Sequence, residues 1–232
     1  MIDKKNILAI IPARSGSVGI KNKNLAKIGK TNLLAQAIKI CKQVKKIDKI
    51  IVSTDSKKIS DEAKKNNIEV PFLRSRKNST SKAKILDTIK ETIIKTEKYY
   101  NNKYEIIMII EPTSPLRKKS DLIDSMKKFM KLNLDSLWTI SKVNLDYHPF
   151  KQLDLKNNYI KFFFPESNKV TRRQQLKRSF IRNGACYIFK RDLIIKRNKI
   201  INQKTGYLLL KGEYVSIDDK NDLDNARRIF KS

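Results

Sequence analysis

Short apolar runs alternate with helix-spaced segments through the first two-thirds of this chain, and that alternation constrains its fold more than any other feature. Ile7-Leu8-Ala9-Ile10-Ile11 and Ile106-Ile107-Met108-Ile109-Ile110 are apolar at every position, as strands buried on both faces must be. Between them, Leu, Ala and Ile recur at helical spacing over 33–44. A second strand is expected at 47–54, a helix at 57–66, a short third strand at 70–73 and a long helix at 82–99. Another helix follows at 120–132. Alternation of this kind implies an α/β fold with a mainly parallel, doubly wound sheet. After residue 134 the pattern changes. Strands are expected at 134–143, 159–164 and 185–189, separated by polar and basic loops, and a segment at about 140–182 should leave the sheet as an arm. A returning strand at 215–218 and a helix at 222–230 close the chain. No repeat, low-complexity tract or linker interrupts 1–232, which reads as a single domain.

Composition narrows the class. The chain is 40% hydrophobic, yet no apolar run approaches the roughly 18–20 residues of a membrane span, so no membrane partner is expected. The charged N-terminus and short apolar stretch imitate a signal peptide, but Pro12-Ala13-Arg14-Ser15-Gly16 follows in place of a small-residue cleavage site. Cys41 and Cys186 lack metal or CxxC spacing, which suits reduced thiols and a cytoplasmic protein. The net charge of +29 invites a nucleic-acid partner. Its lysines are spread over every expected helix and loop, however, so most of the charge reads as solvated surface and a smaller part as the lining of a pocket for a polyanionic small molecule.

In open α/β sheets, ligands sit beyond the carboxyl ends of the strands. The first such loop runs from Pro12 to Asn24: Gly16 and its serine neighbours let backbone amides approach phosphate oxygens, and Arg14 and Lys23 add charge. It is not a Walker sequence, because Asn24 stands where Gly29-Lys30-Thr31 would need an earlier glycine. The second loop, Ser53-Thr54-Asp55-Ser56, offers Asp55, which on its own reads as a helix cap. The third, Glu111-Pro112-Thr113-Ser114-Pro115-Leu116-Arg117, is shaped by two prolines and carries hydroxyl and guanidinium donors. Arg172-Arg173-Gln174-Gln175 and Asn183-Gly184-Ala185 form a fourth group. The last, Ser216-Ile217-Asp218-Asp219, presents oxygen ligands suited to Mg²⁺, although Asp219 serves equally well as the cap of the final helix.

In this order, the segments resemble the acylneuraminate cytidylyltransferase family, the CMP-sialic acid synthetases and their legionaminate and pseudaminate relatives. The matching stretches are 11–17, 23–24, 51–56, 70–74, 111–117, 173–176 and 183–188. The resemblance implies a Rossmann-like nucleotidyltransferase fold working as a homodimer, with the arm packed on the partner subunit. The implied reaction uses CTP and Mg²⁺: the anomeric hydroxyl of a sialic-acid-like nonulosonate attacks the α-phosphate and pyrophosphate leaves. Transferred by position, nucleotide contacts fall to Arg14, Ser15, Gly16, Ser17, Lys23, Asn24, Asp55, Arg74 and Asp87. Sugar contacts fall to Glu111, Thr113, Ser114, Arg173, Gln174 and Asn183, with Arg173 the expected partner of the sugar carboxylate. Asp218 and Asp219 are the metal candidates, and Arg14, Lys23 and Asp218 carry the chemistry. No residue declares itself a general base.

Four positions depart from the family pattern. Val18 replaces a basic residue of the first loop, Glu111 a glutamine, Ser216 the first aspartate of an Asp-x-Asp pair, and Ser81 a common aspartate. A carboxylate at 111 repels anionic ligands unless it is neutral, metal-bound or paired with arginine. The alternatives are therefore an enzyme with a different acidic sugar such as 3-deoxy-manno-octulosonate, a non-catalytic relative that binds nucleotide or sugar, and a polyanion-binding module. Trp138 and the Phe162–Phe164 cluster are expected as packing. The sole histidine, His148, is read as structural or as an arm contact, and both cysteines as buried small hydrophobes.

Overall fold

Strand β1 (Ile7–Pro12) divides its side chains between two cores. Ile7, Ala9 and Ile11 pack into one and Leu8 and Ile10 into the other, so helices must cover both faces of the sheet it belongs to. The computed structural model describes residues 5–17 and 19–230. After β1 come the hairpin strands β2 (Lys27–Ile28) and β3 (Thr31–Asn32), α1 (Leu33–Lys42), β4 (Lys49–Ser53), α2 (Lys57–Lys65) and α3 (Ile85–Tyr100). They are followed by β5 (Ile106–Ile109), α4 (Lys119–Lys131), β6 (Ser136–Lys142), β7 (Leu153–Lys156), β8 (Tyr159–Phe162), β9 (Phe180–Lys190), α5 (Arg191–Ile195), β10 (Thr205–Leu209) and α6 (Lys220–Ile229). Helices α1, α2 and α4 seal the first core; α3 and α5 seal the second.

The sheet order is β10-β6-β9-β5-β1-β4. β4 and β5 lie parallel to β1, β10 lies parallel to β6, and β9 runs against both of its neighbours. Five strands therefore end at one edge, as a mainly parallel doubly wound sheet requires. Local chemistry sets the helix starts. Asn32 Oδ1 accepts from Ala35 N at 2.8 Å and Ser56 Oγ from Ile59 N at 3.4 Å, while Asp219 and Asp222 form a reciprocal capping box at α6.

Three expectations change. Residues 70–73 form no strand; Pro71 lacks the donor a ladder needs, and the segment instead ties to β4 through Arg74 N donating to the Thr54 carbonyl at 2.7 Å. Residues 215–218 also form no strand. Ile217 N donates to the Thr113 carbonyl at 2.9 Å, and the Ile217 side chain is buried in a third cluster with Ile28, Leu33 and Leu223. The returning strand is instead β10, an edge strand whose exposed Tyr207 and Leu209 dilute the apolar signal. Finally, β9 is longer than expected and carries a bulge. Trp138 of β6 faces Tyr187, but Ile140, two residues on, faces Arg182, five residues back along β9. The odd excess flips the side-chain alternation, which brings Arg182 to the same face as Tyr187.

Between β6 and β9 the chain leaves the sheet. The β7–β8 hairpin exposes Leu155, Tyr159 and Ile160 to 77%, 78% and 68%. His148 anchors its base: Phe150 N donates to Nδ1 at 3.1 Å, which leaves the proton on Nε2 to donate to the Lys177 carbonyl at 2.8 Å. Both ring nitrogens are thus committed to structure. The two buried cysteines are unpaired.

Candidate functional site

A cleft of about 770 Å³ opens over the edge where the parallel strands end. Its basic side chains are Arg14 from the loop after β1, Lys23, Arg74 beside β4, and Arg182 on β9. Its acids are Glu111 after β5 and Asp218 before α6. The sheet order spreads these groups across the cleft. Arg14 and Arg74 lie at the β1–β4 side, Glu111 in the middle, and Arg182 at the β9–β6 side with Trp138, Tyr187 and Phe189.

The first loop is held from below. Ser15 donates its amide and hydroxyl to the two oxygens of Asp55 at 2.8 and 2.7 Å, and Asn24 Nδ2 donates to the Arg14 carbonyl at 2.9 Å. Burial alone would raise the Asp55 pKa, but the two Ser15 bonds and nearby Arg74 outweigh it and hold the carboxyl below its ordinary range. Asp55 is therefore a loop anchor, and the helix cap it was expected to supply comes from Ser56. Arg74 is itself tethered, its Nη2 donating to the Ser53 carbonyl at 2.6 Å.

The loop containing Asp218 closes against the first one. Lys23 Nζ donates to Asp218 Oδ1 and to the Ile217 carbonyl, both at 2.9 Å. Gly19 touches the Asp218 carbonyl so closely that no side chain would fit there. Asp218 keeps its carboxylate 80% exposed toward the cleft. Asp219 turns away: its Oδ1 accepts from Asp222 N at 2.9 Å as the cap of α6, so the capping alternative is the one the structure supports for this residue. Among the described residues, no group of three or more His, Cys, Asp or Glu side chains converges as a metal site.

The loop after β5 forms the floor. Arg117 is buried and donates to the Glu111 and Gly184 carbonyls, clamping this loop to β9. Ser114 Oγ donates to the Asn183 carbonyl at 2.7 Å. Gly184 adopts φ 68°, where a side chain is strained and would also strike Ser114 and Glu111. Burial pushes the Glu111 pKa above the ordinary carboxylate range and Asp218 adds to the rise, against the opposing pull of Arg117, Arg182 and Lys23. Tyr187 is pushed up to about 12 by burial and by Glu111, so its hydroxyl keeps its proton at neutral pH.

The residues singled out from the sequence divide accordingly. Arg14, Ser17, Lys23, Asn24, Arg74, Glu111, Thr113, Ser216 and Asp218 line the cleft. Ser15, Asp55 and Ser114 support its loops, and Gly16 leaves open space beside the first. Asn183 does not face the cleft. It is buried inside the sheet, where its Nδ2 donates to Ser141 Oγ and its Oδ1 accepts from Thr139 Oγ1, holding the bulge. Asp87 is exposed on the first turn of α3, outside the lining, and Ser81 is exposed in the turn before it. Arg173 and Gln174 are exposed on the arm, outside this chain's own cleft. Val18 lies outside the described residues.

Sequence reasoning missed Arg182; Trp138 packs against the second core as expected and also stands in the cleft wall, with the Arg182 guanidinium 5.6 Å from its ring centroid and Tyr187 edge-on at 5.6 Å. A basic residue directly before Asn183-Gly184 was the available signal. Strand alternation alone would have pointed it the other way.

The family model for cytidylyltransferases matches residues 8–230. This chain belongs to that family. It is 28% identical to "Post-translational flagellin modification protein B" of Campylobacter coli, over 94% of this chain and 91% of the relative. It is likewise 28% identical to a CMP-N,N'-diacetyllegionaminic acid synthase of Campylobacter jejuni, again over 94% and 91% of the two chains. The solved structure of CMP:2-keto-3-deoxy-manno-octonic acid synthetase, complexed with CTP, superposes with a TM-score of 0.70 at 14% identity, covering 97% of this chain and 98% of that one. The last comparison speaks for the fold. Among the described residues, no helix is long and apolar enough to cross a membrane.

Proposed function

We propose that this chain transfers CMP from CTP to the anomeric hydroxyl of a sialic-acid-like nonulosonate. The observation that carries the reading is the polarity of the cleft: cations gather where β1 and β4 end, and an aromatic wall with a single arginine stands where β9 and β6 run. A triphosphate fits the first half and an acidic sugar the second, with the reacting atoms meeting near Lys23, Glu111 and Asp218. The full-length similarity to a legionaminate-activating relative favours a nonulosonate over other acidic sugars.

In the reaction, the anomeric oxygen forms a bond to the α-phosphorus, the bond from that phosphorus to the bridging oxygen breaks, pyrophosphate leaves and the hydroxyl proton is lost. Arg14 and Lys23 neutralise phosphate charge, and loops anchored by Asp55, Asn24 and Arg117 hold that geometry without reorganisation. Mg²⁺ fits this donor set. It binds through one or two carboxylates plus substrate phosphates, and Asp218 offers an exposed carboxylate beside the cations, with Glu111 nearby. When bound, the ion would supply further neutralisation of phosphate charge. Asp219, occupied as a cap, is not assigned to it.

The arm is assigned to a second copy of the chain. Its exposed Leu155, Tyr159, Ile160 and Phe163 are an apolar surface of the kind that seeks a partner. Arg173 and Gln174 would reach a sugar only across such a dimer. The unpaired thiols and the need for CTP suit a cytoplasmic setting.

The test is incubation of the purified protein with CTP, Mg²⁺ and N-acetylneuraminate, legionaminate, pseudaminate or 3-deoxy-manno-octulosonate. ATP, GTP and UTP serve as controls, and pyrophosphate release and CMP-sugar formation are followed. Sugar-dependent release with CTP alone is expected. Turnover with 3-deoxy-manno-octulosonate only would replace the substrate, and silence across the panel from folded protein would remove the activity.

A further inference from the structure

We infer that Arg182, on the aromatic wall of the cleft, reads the carboxylate of the acidic sugar. The inference rests on the cytidylyltransferase reading above and deepens it.

Of the cleft's four cations, Lys23 is paired with Asp218 and Arg74 is bonded to Ser53, while Arg14 stands on the side assigned to the triphosphate. Arg182 is the cation of the opposite half, and none of the ion pairs among the described residues includes it. Its guanidinium is held against the Trp138 ring. The ring face lies within cation–π reach, 5.6 Å from the guanidinium carbon, and leaves the N–H donors free for a carboxylate, which guanidinium binds through two parallel bonds. Arg173 occupies an exposed turn of the arm and lines no part of its own chain's cleft, so without a second copy it adds no charge there.

Placement follows from the bulge. In an unbroken strand Arg182 and Tyr187, five residues apart, would point to opposite faces, but three more residues than β6 supplies intervene here. With them, both join Trp138 on one wall, and Asn183 fixes the bulge through Thr139 and Ser141. The same wall meets Glu111, which lies near enough to Arg117 and Arg182 to feel both charges. A sugar acid held by Arg182 thus stays on the aromatic side, with its ring directed toward the phosphate loop. Arg182 is a specificity-determining residue in this account, selecting acids over neutral sugars.

The sole tryptophan supplies a readout independent of turnover. Trp138 fluorescence is titrated with N-acetylneuraminate and with its methyl ester, and with legionaminate, in wild type, Arg182→Met, Arg182→Lys and Arg173→Ala. Steady-state kinetics are measured alongside. For the free acid, Arg182→Met should raise the apparent Kd and the sugar KM roughly 10- to 100-fold, with Arg182→Lys between it and wild type. The KM for CTP should move less than about twofold, because the substitution lies outside the phosphate half. Discrimination between acid and ester should largely vanish in Arg182→Met. Circular dichroism confirms folding, which exposed Arg182 should not disturb. Wild-type turnover with unchanged sugar KM and unchanged ester discrimination in Arg182→Met overturns this inference alone, as does a sugar effect confined to Arg173→Ala. Absence of turnover by wild type with every sugar overturns the reading beneath it.

Discussion

Replacing Gly184 by alanine should destabilise the protein by an amount that the geometry allows to be worked out. Gly184 sits at φ 68°, where an alanine costs about 1–2 kcal/mol relative to the ordinary right-handed region. Its added Cβ would also fall inside van der Waals contact of Ser114 Oγ and lie 2.6 Å from Glu111 Oε2. Glu111 can swing its carboxylate away, but Ser114 is buried and its hydroxyl must rotate off the Asn183 carbonyl, to which it donates at 2.7 Å. Losing that bond costs a further ~0.5–1.5 kcal/mol. The expected total is about 2–3 kcal/mol, read as a lower urea midpoint at constant m-value. In a Ser114→Ala background the clash with the hydroxyl disappears, so the two substitutions should be non-additive by at least about 0.5 kcal/mol. A single variant within about 0.5 kcal/mol of wild type, or strict additivity in the cycle, would refute the argument that this glycine is required by close packing of the β5 loop against β9.

Other outcomes follow from the same reasoning. Gly16→Ala meets nothing within 4 Å and needs no positive φ, so thermal stability should be unchanged to within about 0.5 kcal/mol; a several-fold rise in the KM for CTP would mark the open space as phosphate-binding. Asp219→Ala should cost about 1 kcal/mol of stability through loss of the α6 cap, measured by chemical denaturation. Asp218→Asn should leave stability nearly intact, because its carboxylate is exposed, while abolishing CMP-sugar formation. Glu91 gives an acid-side test. Burial opposes ionisation, but hydrogen bonds from Lys95, Asn78 and Ser75 lower its pKa from 4.5 to about 2. A depressed carboxylate stabilises the fold above its unfolded pKa and loses that contribution as pH falls through the folded one. Denaturation midpoints should therefore show a loss between about pH 4.5 and 2 that Glu91→Gln removes.

Much of this was legible from residues alone, for identifiable reasons. A strand covered on both faces has no choice but to be apolar throughout, so β1 and β5 announced themselves, and the loops after them could be located without a structure. Edge and bulged strands give weaker signals. β10 exposes half of its side chains, and β9 mixes a buried half with an exposed one, so neither carries a continuous run. Segment 215–218 misled because Ile217 is buried for a different purpose, locking the Asp218 loop to the hairpin and α6.

The sequence by itself determined the alternating architecture, the strand-end loops and the family, since these depend on local patterning and ordered motifs. Only the tertiary structure decided which polar groups are spent on the scaffold and which remain for a ligand. Asn183 and Arg117 are buried among carbonyls and hydroxyls contributed by distant segments; Asp219 is committed to a helix cap, and Asp55 to an adjacent loop. Arg182, which alternation would have turned away, reaches the cleft through extra residues in one strand. Hydrogen-bond partners and strand register are long-range quantities, set when separate stretches of chain meet, and no local pattern encodes them.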